Sequence, residues 1–237
     1  MTHMHIPDGI LPVWLWLTGF AVMAIGLGMS LARLRNVDMK MKVPLLGTLS
    51  AAMLVAMSIE IVPAYHINLS VVTGILLGPA LGFVAAFIAN VMLAMVGHGG
   101  VTVLGLNTLL LGSEAVLGHA LFTLLGRRMP VFWRAFAATV ITLILTTGLL
   151  ITIVAISNAY TSTFLPSHEH EGGMHEGNAE GHVSVSRFGM MVITLGSIGW
   201  LIEAAITGAV VRFISQVKPD LLRHTLHSSM DKNRGGM

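Results

Sequence analysis

Residues 67–96 read INLSVVTGILLGPALGFVAAFIANVMLAMV, and the number of helices in this stretch determines how the rest of the chain is arranged. The stretch contains no charged residue, and its strongest helix breaker is Gly78-Pro79. A helix needs about 20 residues to cross the roughly 30 Å hydrocarbon core of a bilayer, so the stretch is long for one crossing and short for two. The choice between one helix and two therefore depends on the charges elsewhere in the chain.

The composition of the whole chain is typical of a protein that spans a membrane several times. Of its 237 residues, 54% are hydrophobic and 10% are charged, whereas roughly 25% of residues are charged in a soluble domain. The chain has 26 Gly and 6% aromatic residues, and this excess of small and aliphatic residues suits close helix packing in lipid. The absence of Cys excludes disulfides, Cys-bound zinc and iron–sulfur clusters, so a bound metal would need His, carboxylate, Met or backbone ligands.

Charge placement predicts the topology of the chain. Apolar stretches cover residues 10–31, 44–62, 67–96, 101–125, 133–157 and 188–215. The first is too long for a signal-peptide core and no basic segment precedes it, so we expect a retained helix with the N-terminus outside. If residues 67–96 cross once, Arg127, Arg128 and Arg134 lie outside, against the tendency of short cytoplasmic loops to collect Lys and Arg. If they cross twice, 12 of the 13 Lys and Arg residues lie inside and Arg187 lies outside.

The sequence therefore predicts an all-α integral membrane protein with about seven transmembrane helices, the N-terminus outside and the C-terminus in the cytoplasm. The piece 67–77 is too short to cross alone and is expected to pack within the protein rather than against lipid. A single transmembrane domain is predicted over residues 1–222, followed by a polar cytoplasmic tail at 223–237. The extracytoplasmic loop at 160–186 is rich in His, Glu and Gly, so we expect it to be disordered.

Histidine is concentrated on the predicted outer side of the membrane. Eight of the 11 His residues lie there or at the outer membrane edge: His3, His5, His66, His98, His168, His170, His175 and His182. The other three, His119, His224 and His227, are expected to be satisfied bundle or tail residues. Neutral imidazole is a common ligand for first-row transition metals, so the distribution indicates capture of a metal ion from outside. The segment 168–182 would either concentrate metal ions loosely or be a merely solvated loop.

The N-terminus reads MTHMHIPDG and allows a specific chelate. An α-amine, a deprotonated backbone amide and an imidazole from consecutive residues close fused rings around a metal, a flat arrangement that favours Ni(II) or Cu(II) over tetrahedral zinc. His66, predicted at the outer end of the short helix, is the candidate for the fourth ligand. Pro7-Asp8-Gly9 indicates an ordered turn that leads the terminus into the helix bundle.

Three carboxylates fall within the predicted helices, where an acidic side chain is costly and suggests a function: Glu60, Glu114 and Glu203. Glu60 lies near the outer end of the second helix, where it could orient a metal-bound imidazole. Asp8 and His98 are further candidates for positions beside the metal ligands. Glu114 and Glu203 are expected nearer the inner half of the membrane, away from the outer site.

Four motifs resemble the CbiM/NikM family: residues 5–12 (HIPDGILP), 74–79 (GILLGP), 98–108 (HGGVTVLGLNT) and 217–222 (VKPDLL). Members of that family are the substrate-capture membrane subunits of energy-coupling-factor transporters for cobalt and nickel. The resemblance covers about residues 4–222. It implies a non-enzymatic subunit of the cytoplasmic (inner) membrane, linked to cobalamin biosynthesis, with Co(II) or Ni(II) as the transported ion and no catalytic cofactor.

The resemblance also implies a ligand set. In the family, the terminal amine, the amide and imidazole of the second residue, and a downstream histidine hold the metal, and the last corresponds here to His66. Members usually begin Met-His, whereas this chain begins MTHMH. If translation starts at Met4, then His5 is the second residue. If the first Met is removed instead, Thr2 supplies the amine and His3 the imidazole.

Partners are implied as well: a transmembrane coupling subunit, two cytoplasmic ATPase subunits and, in some systems, a small accessory membrane protein. In related capture subunits a face of small residues docks the coupling subunit, which corresponds here to Ala52 and Ala56, and such pairs also pack a protein's own helices together. The chain has no phosphate-binding loop motif, so ATP hydrolysis would take place on another polypeptide. No nucleic acid partner is expected; the surroundings are membrane lipid.

Two other classes of function remain open. One is a stand-alone secondary metal carrier, in which Glu60, Glu114 and Glu203 would form a proton or ion relay. The other is a membrane assembly factor whose His-rich loop binds metal incidentally. Genes for an ATPase and a coupling subunit beside this one would favour the capture subunit.

Overall fold

The computed structural model describes residues 12–35, 39–40, 42–62, 65–97, 100–126, 129–164 and 185–222. Within these ranges the chain forms seven helices and one two-stranded antiparallel sheet. In chain order they are α1 (Val13–Leu34), α2 (Lys42–Ser58), β1 (Glu60–Val62), β2 (Tyr65–His66), α3 (Ser70–Leu77), α4 (Pro79–Met95), α5 (Leu104–Leu124), α6 (Val131–Phe164) and α7 (Val185–Val217). The prediction of an all-α fold is confirmed, apart from the small sheet.

Three of these helices have the length and composition needed to cross a membrane: α1, most of α6 and most of α7. The shorter α2 and α4 are also apolar. Large apolar side chains stand exposed along the long helices, among them Ile25 on α1, Leu145 on α6 and Leu201 on α7. Apolar side chains on the outer surface of a helix bundle are the arrangement that lipid requires.

The break within residues 67–96 lies where the sequence predicts it. Gly78 ends α3 and precedes α4 with φ 83°, a left-handed conformation that favours glycine. Pro79 is the first residue of α4, where its missing N–H leaves no helical hydrogen bond unmade. All eight residues of α3 are buried, which confirms that this short helix packs within the protein.

The helix α5 lies at the centre of the bundle and contacts α1, α3, α4 and α6. Glycines allow its backbone to approach its neighbours closely. Gly74 of α3 lies against the backbone of Ala115, and Gly105 lies against the backbone of Gly19 and Phe20 on α1. This is the close packing through small residues that is common between helices in lipid.

We predict that Gly74→Ala destabilises the protein by about 1–3 kcal/mol, because the added methyl group would overlap the carbonyl oxygen of Ala115, and a backbone atom cannot move aside as a side chain can. Gly28→Ala is the matched control, since a methyl group added to that glycine of α1 would meet no described residue within 4 Å outside its own stretch of helix. The melting temperatures of both variants in the same detergent check the prediction. Equal melting temperatures would show that the contact between α3 and α5 is not tight.

Three predicted helix boundaries differ from the structure. The second helix was expected to run to residue 62, but α2 ends at Ser58 and the next residues pair with β2. The backbone groups of residues 60–62 pair with β2 instead of forming the last predicted turn of α2. The predicted loop at 160–186 is also shorter than expected, since α6 extends to Phe164 and α7 begins at Val185. The remainder of that loop and the tail at 223–237 lie outside the described residues.

Candidate functional site

His66 is the last residue of β2 and lies inside the protein. Its side chain is 7% exposed, and β2 contacts α2 and α7. In the sheet His66 pairs with Glu60 of β1, so the two backbones run side by side. The sequence places His66 in the polar break just before the short helix, and in the structure this residue belongs to the strand β2, which the sequence did not predict.

An unusual turn connects His66 to α3. Leu69 has φ 56°, and it is the one residue other than glycine with a positive φ in the described ranges. A side chain with a Cβ is disfavoured in this conformation, so the surrounding structure must hold it. Asn68 supplies one restraint, because its Oδ1 accepts a hydrogen bond of 2.9 Å from the backbone N–H of Ser70.

The side chain of Asn68 also joins this turn to the bundle. Its Nδ2 donates to Oε2 of Glu114 on α5 at 2.6 Å. The other carboxyl oxygen of Glu114, Oε1, accepts a hydrogen bond of 3.1 Å from the hydroxyl of Thr146 on α6. Glu114 is 7% exposed and Thr146 is 4% exposed. One buried carboxyl group therefore links three separate segments: the turn after His66, α5 and α6.

These side chains surround a cavity of about 50 Å³ between the helices. Its polar lining comes from His66, Asn68, Asn107, Glu114, Thr146 and Thr147, and leucines and Trp200 complete the wall. Trp200 is 9% exposed, and its Nε1 has no hydrogen-bond partner among the described residues. A cavity of this size has room for a few water-sized groups, each of which needs about 10–15 Å³. The site can thus surround a small polar ligand with imidazole, carboxyl, amide and hydroxyl groups.

The prediction that Glu114 lies away from His66 is wrong. The two side chains line the same cavity, because the tight packing of α3 against α5 brings the middle of α5 beside the turn that follows His66. Glu203 of α7 is fully buried and interacts electrostatically with Glu114, although it does not line the cavity. Glu114 and Glu203, which the sequence assigns to the same half of the membrane, thus lie in the same region of the bundle as His66.

His119 is the second buried histidine of the bundle, and the expectation of a satisfied core residue is confirmed. Its Nδ1 lies 3.1 Å from the carbonyl oxygen of Gly74. Its side chain is 6% exposed, nearly the same as that of His66. Of these two buried imidazoles, only that of His66 lines the cavity.

Most of the other predicted metal ligands and their neighbours lie outside the described residues. These are Thr2, His3, Met4, His5, Asp8, His98 and the four histidines of the segment 168–182. Among the residues that the structure does describe, no group of three His, Asp or Glu side chains converges on one point. A metal site that includes His66 would therefore need at least one ligand other than the described His, Asp and Glu side chains, such as a backbone group or a residue beyond the described ranges.

Sequence reasoning missed Asn68, Thr146 and Trp200. A signal was present for Asn68, since Asn two residues before a helix often hydrogen-bonds the backbone at the start of that helix. No comparable signal marks Thr146 or Trp200, because each lies within a long apolar helix and its role depends on which helix packs beside it.

The fold and the cavity define a class of protein: a bundle of apolar helices that encloses a small polar site with one imidazole and one carboxyl group. Residues 5–221 match the CbiM family, described as the cobalt uptake substrate-specific transmembrane region. The chain therefore belongs to the CbiM family. It is a multi-pass membrane protein and a CbiM-type component of a transition metal transporter.

Two relatives agree with this assignment. A protein of Haloquadratum walsbyi named "Putative metal transport protein" is 30% identical over 231 residues, which cover 92% of this chain and 93% of the relative. A protein of Haemophilus influenzae with the same name is 30% identical over 124 residues. That second match covers 50% of this chain and 57% of the relative, so it spans little more than half of the relative's length.

Two crystal structures share the fold. One, described as a transition metal transporter, superposes with a TM-score of 0.75 at 19% identity and covers 94% of this chain and 98% of the other. The second, described as a truncated transition metal transporter, gives a TM-score of 0.74 at 20% identity and covers 90% of this chain and 98% of the other. The likeness extends over nearly the whole length of both chains.

Proposed function

We propose that this protein is the substrate-capture subunit of an ATP-driven energy-coupling-factor importer for Co(II) or Ni(II). The observation that carries the proposal is the position of His66, a buried imidazole in the wall of a polar cavity within a bundle of the cobalt uptake family. Imidazole is a good ligand for both ions. The metal ion is the transported substrate, and the protein carries out no chemical reaction on it.

In this proposal the metal binds in a flat arrangement of four nitrogens, of which His66 supplies one. The other three come from the N-terminus: the free amine, the next backbone amide and one imidazole, from either Thr2-His3 or Met4-His5. Such a set would leave His66 as the sole side-chain ligand from the described ranges, which agrees with the absence there of a three-residue cluster. Glu60, Asp8 and His98 would lie around the ligands and orient them.

We propose that the chain crosses the inner (cytoplasmic) membrane seven times. In this topology the N-terminus lies outside and the C-terminus lies in the cytoplasm. Seven helices in the described ranges support the number, with the eight-residue α3 counted as part of a crossing that it does not complete alone. The placement of 12 of the 13 Lys and Arg residues on the cytoplasmic side supports the orientation. The buried α3 would lie within the bundle near the metal, where helices too short to cross are tolerated.

The proposed partners are a transmembrane coupling subunit, two ATPase subunits and, in some systems, a small accessory membrane subunit. Ala52 and Ala56 of α2 would lie at the contact with the coupling subunit. Both are half-buried within the chain itself, and the exposed face of the same helix presents Gly47, Ala51 and Val55 beside them. A surface of small residues on α2 would allow a partner helix to approach closely.

Metal uptake into proteoliposomes tests this proposal. The protein together with the coupling and ATPase subunits is expected to accumulate Co(II) or Ni(II) only when ATP is supplied on the ATPase side. Purified protein alone is expected to bind the metal without accumulating it. Equal uptake with and without ATP by the complete assembly would contradict the proposal.

A second candidate function is a stand-alone metal carrier driven by an ion gradient. The observation that favours it is the carboxyl group of Glu114 in the same cavity as His66, with Glu203 interacting nearby. Buried acids close to a substrate site can relay protons. If the protein is such a carrier, it should accumulate metal by itself when a proton gradient is imposed. A capture subunit by itself should not accumulate metal under the same conditions.

Deletion of the segment 168–182 tests the role of the His-rich loop. We expect uptake to fall at scarce metal and to be unchanged at saturating metal, because loose ligands outside the site raise the local metal concentration without changing the site. Uptake rates measured across a range of metal concentrations check this. Loss of uptake at saturating metal would instead assign the loop a structural role or a place in the transport pathway.

A further inference from the structure

Glu114 has a structural position that the proposed four-nitrogen site does not use. An acid within an apolar bundle is costly unless it has a specific role. Its two oxygens accept hydrogen bonds from different segments, 2.6 Å from Asn68 Nδ2 and 3.1 Å from the Thr146 hydroxyl. An apolar side chain here would avoid the cost of burying a carboxyl group but would leave Asn68 Nδ2 without this acceptor, so the contact with Asn68 indicates what Glu114 does.

The contact with Asn68 acts on the segment that carries His66. Asn68 lies two residues after His66 and precedes Leu69, whose backbone has the disfavoured φ of 56°. The same Asn68 side chain accepts a hydrogen bond from the N–H of Ser70 at the start of α3. The side-chain amide of Asn68 is therefore held through both its nitrogen and its oxygen, which restricts the whole turn. The same restraint limits the direction in which the imidazole of His66 enters the cavity.

We propose that Glu114 is a positioning residue for the metal: through Asn68 it holds the turn after β2 so that His66 presents its imidazole in the orientation that a bound metal requires. This inference rests on the proposed function, in which His66 is a metal ligand. Groups that orient a metal ligand without touching the metal change metal affinity by about 10–100-fold when they are removed. Glu114 acts in this way from α5, 46 residues beyond Asn68 in the chain.

The experiment compares Ni(II) binding by purified full-length variants, using calorimetric titration for affinity and the visible absorption of bound Ni(II) for coordination geometry. Glu114→Ala is expected to weaken binding by about 10–100-fold and to alter the absorption spectrum. Glu114→Gln is expected to retain both, since its amide oxygen can still accept from Asn68 and its NH₂ group can donate to the Thr146 hydroxyl. Asn68→Ala is expected to reproduce the effect of Glu114→Ala, and the double variant to be no weaker than either.

Asn90→Ala is the matched control. Asn90 is a buried amide of α4, 4% exposed, and its side chain hydrogen-bonds the carbonyl oxygen of Ala86 within its own helix. Its replacement removes a buried polar group of similar kind away from the cavity. Native affinity and a native spectrum are expected for this variant even where its melting temperature falls.

Native affinity and a native spectrum in Glu114→Ala, with binding lost in His66→Ala, would overturn the inference and leave the proposed function standing. Native binding in His66→Ala would instead contradict the proposed function. If Glu114→Ala cannot be purified in folded form, Asn68→Ala decides, and native binding by that variant overturns the inference. Loss of binding in Glu114→Gln alongside native binding in Asn68→Ala would also overturn it, because the charge and not the orientation would then matter.

Discussion

His66→Ala is expected to abolish tight binding of Ni(II) and Co(II) while the protein remains folded. The side chain lines the cavity and lies at the end of a two-residue strand, so its removal takes away a ligand without breaking a helix. Loss of a direct ligand should exceed the 10–100-fold effect of removing a group that only orients one, so we expect a fall in affinity of more than about 100-fold. Isothermal titration in detergent measures the change.

His119→Gln is the control for this prediction. His119 is as deeply buried as His66 but bonds the carbonyl oxygen of Gly74, and glutamine keeps a donor for that oxygen. We expect native metal affinity in this variant. If His66→Ala, measured beside this control, binds the metal with unchanged affinity, then His66 is not a metal ligand. The proposal that the cavity takes part in metal binding would then be wrong.

Adding a few residues before the mature N-terminus is expected to reduce metal binding by orders of magnitude. The proposed site needs a free amine and an amide that can lose its proton, and an extension displaces the amine without altering any side chain. Each tenfold loss of affinity corresponds to about 1.4 kcal/mol, so the loss of one coordination bond is readily measured. An extended protein that binds metal as tightly as the native form would show that the amine is not a ligand.

A shortened gene that begins at Met4 locates the mature start. A protein that begins at Met4 is expected to keep native affinity if His5 supplies the imidazole. The same protein loses affinity if Thr2 and His3 are the ligand pair. Intact mass measurement of the metal-loaded native protein identifies its first residue and checks the result independently.

Local sequence signals were sufficient for the helix break and for the burial of α3. Gly78-Pro79 interrupts the helix whatever packs beside it, because the backbone preferences of glycine and proline are intrinsic to the two residues. The eight residues of α3 are too few to cross a bilayer, so their burial follows from length alone. Glycine at position 74 likewise indicates close packing, although it does not identify Ala115 as the neighbour.

Relations between distant segments could not be predicted from the sequence. Asn68 and Glu114 are 46 residues apart, and their hydrogen bond depends on the height at which α5 packs against α3. A topology based on charge assigns the ends of each helix to a side of the membrane, but it does not give the depth at which two helices contact each other. For this reason Glu114 was expected far from His66. The strand that carries His66 was missed for a similar reason, since a two-residue strand has no periodic pattern to detect.

The shortness of α3 has a consequence for how the protein is made. At 1.5 Å per residue its eight residues extend for about 12 Å, well below the roughly 30 Å hydrocarbon core that a membrane helix has to cross. We expect α3 to remain at the membrane surface until α5 has been synthesised and inserted, since α3 packs against that helix, with Gly74 on the backbone of Ala115 and Val71 on Gly118. The turn that carries His66 would then be drawn in with it. Competence to bind metal would thus be acquired only after the ribosome has passed α5, which ends at Leu124 of the 237 residues.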